Sequence, residues 1–192
     1  MKRMDAEALF QKQAEKKPGP WVEHCRKTAE AAMLIASGIN LDREASFSMG
    51  LLHDIGRSLT DGQFQHIARG YQMMNELGQP LIARICLTHS FPVQNIHSYA
   101  GKIDVSKQEQ QYYSDLLSAI DYDPYDRLIQ LCDAISVPSG WIGIEERQEA
   151  LARKYGFNPY AEEKLKVLQN LYSETCSRLS MDLLRYLSLH AY

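Results

Sequence analysis

The sequence predicts an all-α fold, a compact bundle of many helices. Apolar residues recur at spacings of three and four along most of the 192 positions, and this period places side chains on one face of an α-helix. Alternating β-branched runs bounded by hairpin turns such as Asn-Gly, which are typical of strands, do not occur. Pro18-Gly19-Pro20 and Gly78-Gln79-Pro80 interrupt the helical pattern and therefore mark boundaries between helices.

The first two helices flank the first of these boundaries. One begins near Asp5 and ends before the boundary, because proline lacks the amide hydrogen that an interior helical turn needs. The next runs over residues 21–37, since Pro20 suits the first turn of a helix and Gly38 suits its end. Its apolar stripe is interrupted by His24, which lies on an adjacent row.

A third helix begins after Asp42, because an aspartate side chain can accept hydrogen bonds from the free amides of a first turn. It continues through apolar residues to the pair His53-Asp54. Gly56 is expected to end it in the left-handed conformation that glycine adopts without strain. His53 and Asp54 therefore lie in the last turn of this helix.

Further helices are expected at residues 63–77, 80–89, 108–120, 124–136 and 145–154. Asp123 is placed to cap the helix that begins at 124, and Gly156 to end the one at 145–154. From Asn158-Pro159 an apolar repeat extends to Leu187 and describes one long helix or two stacked ones. Residues 90–105 show no period, so we expect an irregular segment there.

Size and composition indicate a globular protein of one domain. Of the 192 residues, 45% are hydrophobic and 23% charged, enough for a core. We expect one domain over residues 1–192, with a core at about 21–136 against which helices at 145–190 pack. A net charge of −3 and a pI near 6.1 disfavour a nucleic acid polymer as partner. The longest apolar run, residues 31–36, is far below the ~18 residues of a membrane span, which predicts a cytoplasmic protein without a membrane partner.

The pair His53-Asp54 emerges from an apolar context. It follows Met49-Gly50-Leu51-Leu52 and precedes Ile55-Gly56, and an unpaired charge in such surroundings would cost several kcal/mol. A metal ion is the natural compensation. Asp133 is the best candidate for a further ligand, since it lies in a similarly apolar stretch. His24 follows, from its early amphipathic helix. This mixed set of nitrogen and oxygen ligands suits iron, manganese, cobalt, nickel or zinc better than magnesium.

In this order, His24, His53-Asp54 and Asp133 resemble the HD superfamily of metal-dependent phosphohydrolases. The sequence Leu52-His53-Asp54-Ile55-Gly56 matches the HDIG variant of that family. The resemblance covers roughly residues 21–136. It implies an all-helical HD-domain bundle with a metal site at its centre, and an enzyme that hydrolyses phosphoesters with metal-activated water.

The family also has a two-metal branch, whose two extra histidines are matched by His66 and His89. His66 opens a stretch similar to the H-x3-G helix of that branch, and His89 ends a stretch similar to its next ligand helix. By this resemblance Asp54 would bridge two ions, one held also by His24, His53 and Asp133 and the other by His66 and His89. The alternative is one ion, with His66 and His89 capping helices or lying on the surface.

Three arginines are candidates for binding substrate. Arg57 follows the HDIG sequence, where the family often has a basic residue, and could bind phosphate through two N–H groups; a surface salt bridge is its alternative role. Arg69 and Arg84 lie near the proposed ligand helices. Asp54 and Arg57 are the expected catalytic residues. The resemblance implies a small-molecule phosphate monoester or diester, such as a nucleotide, as substrate. Residues 90–107 are expected to form a wall of the pocket.

Two other functions remain open. The same ligand set loaded with iron supports oxygen-dependent cleavage in a minority of similar proteins, so an HD-type oxygenase is one alternative. A regulatory module that binds a nucleotide without turnover is another, although an intact ligand set argues against it. The long C-terminal helix offers a face for a homodimer.

Overall fold

The computed structural model of the protein describes residues 1–191 and confirms the all-α prediction. Within that range the helices are α1 Arg3–Lys16, α2 Pro20–Gly38, α3 Arg43–Leu52, α4 Gln65–Glu76, α5 Pro80–Thr88, α6 Lys107–Ser118, α7 Pro124–Ile135, α8 Ile144–Tyr155, α9 Ala161–Leu179 and α10 Leu183–His190. Two short 3₁₀ turns lie at Ile55–Ser58 and Ile96–Ser98, and a hairpin is formed by β1 Ser136–Val137 and β2 Gly140–Trp141. No helix among residues 1–191 combines the length and the apolar character of a membrane span.

Helix α2 lies at the centre of the bundle. It packs against α3, α7, α9 and α10, and its residues 31–36 are all buried. Small residues allow α3 to approach closely, since a Cβ atom added to Gly50 would lie only 2.8 Å from the Cα atom of Ala29 in α2. The two helices are therefore in backbone contact three residues before His53.

The segment between α5 and α6 is irregular apart from one 3₁₀ turn, yet it has an apolar core of its own. Phe91 and Ile96 from this segment pack with Phe64, Tyr113 and Leu117, and none of the five is more than 3% exposed. This second core fixes the irregular segment against α4 and α6. A segment without helical or strand period is thus held in place by side-chain burial.

The helix boundaries agree with the predictions within a few residues, and both predicted aspartate caps form. Oδ1 of Asp42 accepts a hydrogen bond from the amide of Ala45 at 2.7 Å, and Oδ1 of Asp123 accepts one from the amide of Asp126 at 3.1 Å. The C-terminal repeat forms two helices, α9 and α10, rather than one. Ser180, in the left-handed conformation with φ of 52°, separates them.

Two local predictions are wrong. Gly56 lies inside a 3₁₀ turn and is not among the glycines of residues 1–191 with positive φ. It serves a close approach instead, because a Cβ atom there would overlap the carbonyl oxygen of His66 and lie 2.5 Å from the amide nitrogen of Gly70. The hairpin β1–β2 was not expected, since two residues per strand are too few for an alternating pattern to appear in the sequence.

Candidate metal centre

The structure gathers the six predicted ligand side chains at one place, where the ends of several helices meet. They are His24 in α2, His53 and Asp54 directly after α3, His66 in the first turn of α4, His89 directly after α5 and Asp133 in the last turn of α7. Five of them are buried. The side chain of Asp133 is 22% exposed, so the cluster is accessible from solvent at Asp133.

His24, His53 and Asp133 form one group of ligand atoms. Nε2 of His24 lies 3.0 Å from Oδ1 of Asp133 and 3.2 Å from Nε2 of His53. Nε2 of His53 lies 3.7 Å from the same carboxylate oxygen. All ligand atoms of this group are within 4.8 Å of one another, as an ion with bonds of ~2.0–2.2 Å requires.

Asp54, His66 and His89 form a second group within the same limit. Oδ1 of Asp54 lies 2.9 Å from Nε2 of His66 and 3.4 Å from Nε2 of His89. Its other oxygen, Oδ2, lies 3.9 Å from Nε2 of His53. Asp54 therefore presents one oxygen to each group, which is the arrangement of a carboxylate that can bridge two ions.

Main-chain carbonyl groups fix the orientation of three imidazoles. Each lies with Nδ1 against a carbonyl oxygen: His24 against Ser136 at 3.2 Å, His53 against Gly50 at 2.7 Å and His89 against Cys86 at 2.9 Å. A carbonyl oxygen can only accept, so each Nδ1 carries the hydrogen and donates it. In the neutral tautomer Nε2 then turns a lone pair toward the centre, as in histidines that bind metals.

Acceptor atoms therefore face one another across the centre, and a cation would satisfy them. Oδ1 of Asp54 is buried and has no hydrogen-bond partner among residues 1–191, a condition that costs ~1–3 kcal/mol. Cys25 also comes within reach, but burial holds the pKa of its thiol well above the usual value and favours the neutral form. The imidazole and carboxylate donors fit a divalent ion of the transition series or zinc.

Burial and neighbouring charges set the protonation of the cluster. Burial alone would raise the pKa of Asp54, but Arg57 and the adjacent histidines hold that pKa well below its usual range. The pKa of Asp133 is likewise low, because two hydrogen-bonded histidines outweigh its burial. Burial lowers the pKa of His66 to about 4. Both carboxylates are thus ionised and His66 neutral at pH 7, the forms that bind metal ions.

Arg57 lies at the edge of the cluster. Its Nε donates a short hydrogen bond to Oδ2 of Asp54, and its Nη2 lies 3.3 Å from Nε2 of His66. The side chain is 37% exposed. Since a guanidinium carries five N–H groups, several remain for a ligand beside the cluster.

The structure does not bring the other two candidate arginines to this place. Arg69 is exposed and donates to Gln72 at 3.0 Å. Arg84 forms a salt bridge with Asp126, which is fully buried and also accepts a hydrogen bond from the Thr88 hydroxyl at 2.7 Å. Arg84 therefore has a structural role, because it neutralises the carboxylate of Asp126. That carboxylate connects α7 to Thr88 at the end of α5, one residue before His89.

A cavity of about 550 Å³ opens onto the cluster. Its lining includes Arg57 and four of the six predicted ligand side chains, His24, Asp54, His89 and Asp133. The volume falls in the range of ~300–1,000 Å³ usual for small-molecule sites. As the sequence predicted for residues 90–107, part of this segment, from Tyr99 to Gly101, contributes to the wall.

The sequence interpretation missed another part of the wall, which comes from α8 and α9. Arg147, Leu151 and Lys154 of α8 and Lys164 of α9 line the cavity. Burial lowers the pKa of Lys164 to about 8. The spacing of 147, 151 and 154 marks one face of a helix, but nothing in the sequence alone shows that this face meets the metal centre.

Over part of its length this chain is similar to known proteins. Ribonuclease Y of Opitutus terrae (strain DSM 11246 / JCM 15787 / PB90-1) is 31% identical over 84 residues, which are 43% of this chain and 16% of that protein. The match thus spans less than a fifth of that relative. No solved structure gives a significant match. The profile of the HD domain family matches residues 21–137, which include all six ligand side chains. The chain belongs to the HD domain family, a superfamily of metal-dependent phosphohydrolases.

Proposed function

We propose that this protein hydrolyses a small-molecule phosphate monoester or diester, such as a nucleotide, at a centre of two divalent ions. One observation carries the proposal: the Nε2 atoms of four histidines and the oxygens of two aspartates converge in two groups, and the buried Oδ1 of Asp54 has no hydrogen-bond partner among residues 1–191. His24, His53, Asp54 and Asp133 would hold one ion. Asp54, His66 and His89 would hold the other.

In this scheme the residues of the chain bind the ions, orient the substrate and neutralise its negative charge. When bound, a divalent ion lowers the pKa of water from 15.7 toward ~7 and polarises a phosphoryl oxygen, so no protein nucleophile is needed. Arg57 is placed to donate its free N–H groups to a phosphoryl oxygen. The low pKa of Asp54 and Asp133 keeps both carboxylates ionised over the range in which hydrolysis would proceed.

The cavity supports a small substrate rather than a polymer. Its volume of about 550 Å³ suits a ligand of the size of a nucleotide. The matched relative is named a ribonuclease, so RNA belongs among the compounds to be tested. We propose a small phosphoester as the preferred substrate.

Hydrolysis under strict anaerobiosis tests the proposal, measured as inorganic phosphate released from monoesters and as monoester products formed from diesters. Protein loaded with Mn²⁺ would be assayed on nucleoside monophosphates, cyclic nucleotides and a short RNA. We expect hydrolysis of a small phosphoester, loss of at least ~10³-fold in rate for Asp54→Ala and an unchanged rate for Asp115→Ala, an exposed aspartate of α6.

The same experiment separates the alternative functions. Oxygen uptake by the iron-loaded protein, with no anaerobic hydrolysis of any compound, would replace the hydrolase with an oxygenase. Binding of nucleotides without hydrolysis under either condition would indicate a regulatory module. Equal rates in Asp54→Ala and wild-type protein would contradict any role for this centre.

A further inference from the structure

Three cations of α8 and α9 line the cavity: Arg147, Lys154 and Lys164. None of the three forms a salt bridge in the part of the chain that the structure describes. Other cavity cations are paired: Lys17 lies 2.6 Å from a carboxylate oxygen of Asp61, and Arg57 bonds to Asp54. We call Arg147, Lys154 and Lys164 the cation wall.

The cation wall consists of side chains from two helices, α8 and α9, and both helices place positive charges on the lining of the same cavity. Arg147 and Lys154 are seven residues apart, so they lie on one side of α8, with Ala150 and Leu151 between them on the cavity lining. No acid of α8 or α9 is among the described residues that line the cavity, and Glu145 accepts a hydrogen bond from Gln169 at 2.6 Å. The wall therefore keeps a net positive charge.

Lys164 shows that this charge is costly for the free protein. Its Nζ donates to the carbonyl oxygen of Ser90 at 3.0 Å, and the side chain is only partly exposed. Burial and the positive charge of Arg147 disfavour its protonated form, while Asp133 favours it. Two like charges beside a cavity repel each other, and an anion that binds between them lowers the electrostatic free energy.

The family match ends at residue 137, so the cation wall lies outside the shared region.

A phosphate is the anion that guanidinium and ammonium groups bind best together, because its oxygens accept several charge-assisted hydrogen bonds at once. The hydrolytic centre already accounts for one phosphate. The wall is a separate set of residues from the metal ligands.

We propose that the cation wall binds a second phosphate group, so that the substrate is a small molecule with at least two phosphates, such as a nucleoside diphosphate or bisphosphate. This inference rests on the proposed hydrolase function. The ester phosphate meets the metal centre and Arg57, while the other phosphate lies against Arg147, Lys154 and Lys164. The wall then selects such substrates over monophosphates.

A binding experiment tests the wall without any turnover. Metal-free protein would be titrated with inorganic pyrophosphate by calorimetry. We expect the double variant Arg147→Ala/Lys154→Ala to bind at least ~10-fold more weakly, since each lost charge-assisted hydrogen bond weakens binding about tenfold or more. Arg153→Ala is the matched control, because Arg153 pairs with Glu149 on the exposed side of α8. Unchanged pyrophosphate affinity in the double variant would overturn the inference.

Kinetics on the Mn²⁺-loaded enzyme provide the second arm. The ratio of kcat/KM for adenosine 3′,5′-bisphosphate or ADP to that for AMP should fall at least ~10-fold in the double variant and stay unchanged in Arg153→Ala. An equal loss for all three compounds would contradict a second-phosphate site. Absence of hydrolysis in the wild type would contradict the proposed function, whereas the pyrophosphate titration would still decide the inference about the wall.

Discussion

Replacing Gly56 with alanine should push the two groups of ligands apart. The added Cβ atom would overlap the carbonyl oxygen of His66 and lie 2.5 Å from the amide nitrogen of Gly70, where ordinary contacts begin at 3.4 Å. Both obstacles are backbone atoms, which cannot rotate away as a side chain can. The 3₁₀ turn that follows Asp54 must therefore move from α4 by about 1 Å or more.

The expected loss of stability follows from this overlap. Overpacking a core usually costs ~1–3 kcal/mol, and the rigid surroundings of Gly56 place this change at the upper end, about 3 kcal/mol. For a chain of this size ~1 kcal/mol corresponds to ~2–4 °C, so Tm should fall by roughly 6–12 °C. Because His66 moves relative to Asp54, metal affinity should also fall, by ~10-fold or more.

Thermal denaturation of the metal-free protein, followed by a metal titration, measures both effects. Gly143→Ala is the control, since a Cβ atom there meets nothing within 4 Å. Gly50→Ala should lie between the two, because its nearest obstacle is 2.8 Å away. A Tm of Gly56→Ala within ~2 °C of the wild type, with unchanged metal affinity, would refute the packing argument.

Three further changes have defined outcomes. Arg84→Met leaves the buried carboxylate of Asp126 without its cation and should lower the free energy of unfolding by ~2–4 kcal/mol, measured by urea denaturation; a change below ~0.5 kcal/mol would show that the pair is not structural. Lys164→Met should raise the free energy of unfolding at pH 7 by ~1–2 kcal/mol, less than the ~3 kcal/mol of the full pKa shift because Lys164 is only partly buried. The folded-state pKa of Lys164, about 8, is below the usual 10.5, so the wild type should become as stable as the variant when pH rises from 8 to 10.5. A difference in the free energy of unfolding that does not change with pH would contradict the assignment. The pKa of His66 is lowered from 6.5 to about 4, so the metal-free protein should lose stability as pH falls through that window, and a smaller loss is expected for His66→Gln; equal pH profiles would show that His66 is not the cause.

Local features of the sequence were enough to predict the helices and the ligand types. Asp42 and Asp123 cap helices through amides only a few residues away, and such contacts are visible in sequence spacing. His53 and Asp54 stood out because charged groups are rare in apolar runs. These signals depend on residues next to one another in the chain.

The remaining features depend on contacts between distant segments. Arg84 was interpreted as a phosphate ligand, but its partner Asp126 is 42 positions away and the sequence does not show that they meet. The glycine at 56 was assigned to a turn, whereas it is required by the approach of α4. Arg147 and Lys154 share a face of α8, and only the packing of α8 shows that this face lines the cavity.

The metal content of the wild-type protein and of Asp54→Ala bears most directly on the proposed centre. Each protein would be loaded with Mn²⁺, freed of excess ion by gel filtration and analysed for manganese per chain, with Asp115→Ala as control. We predict about two ions per chain in the wild type and the control, and none in Asp54→Ala, because this carboxylate faces both groups of ligands. A wild type that retains no ion, or an Asp54→Ala protein that retains as much as the wild type, would contradict the proposal.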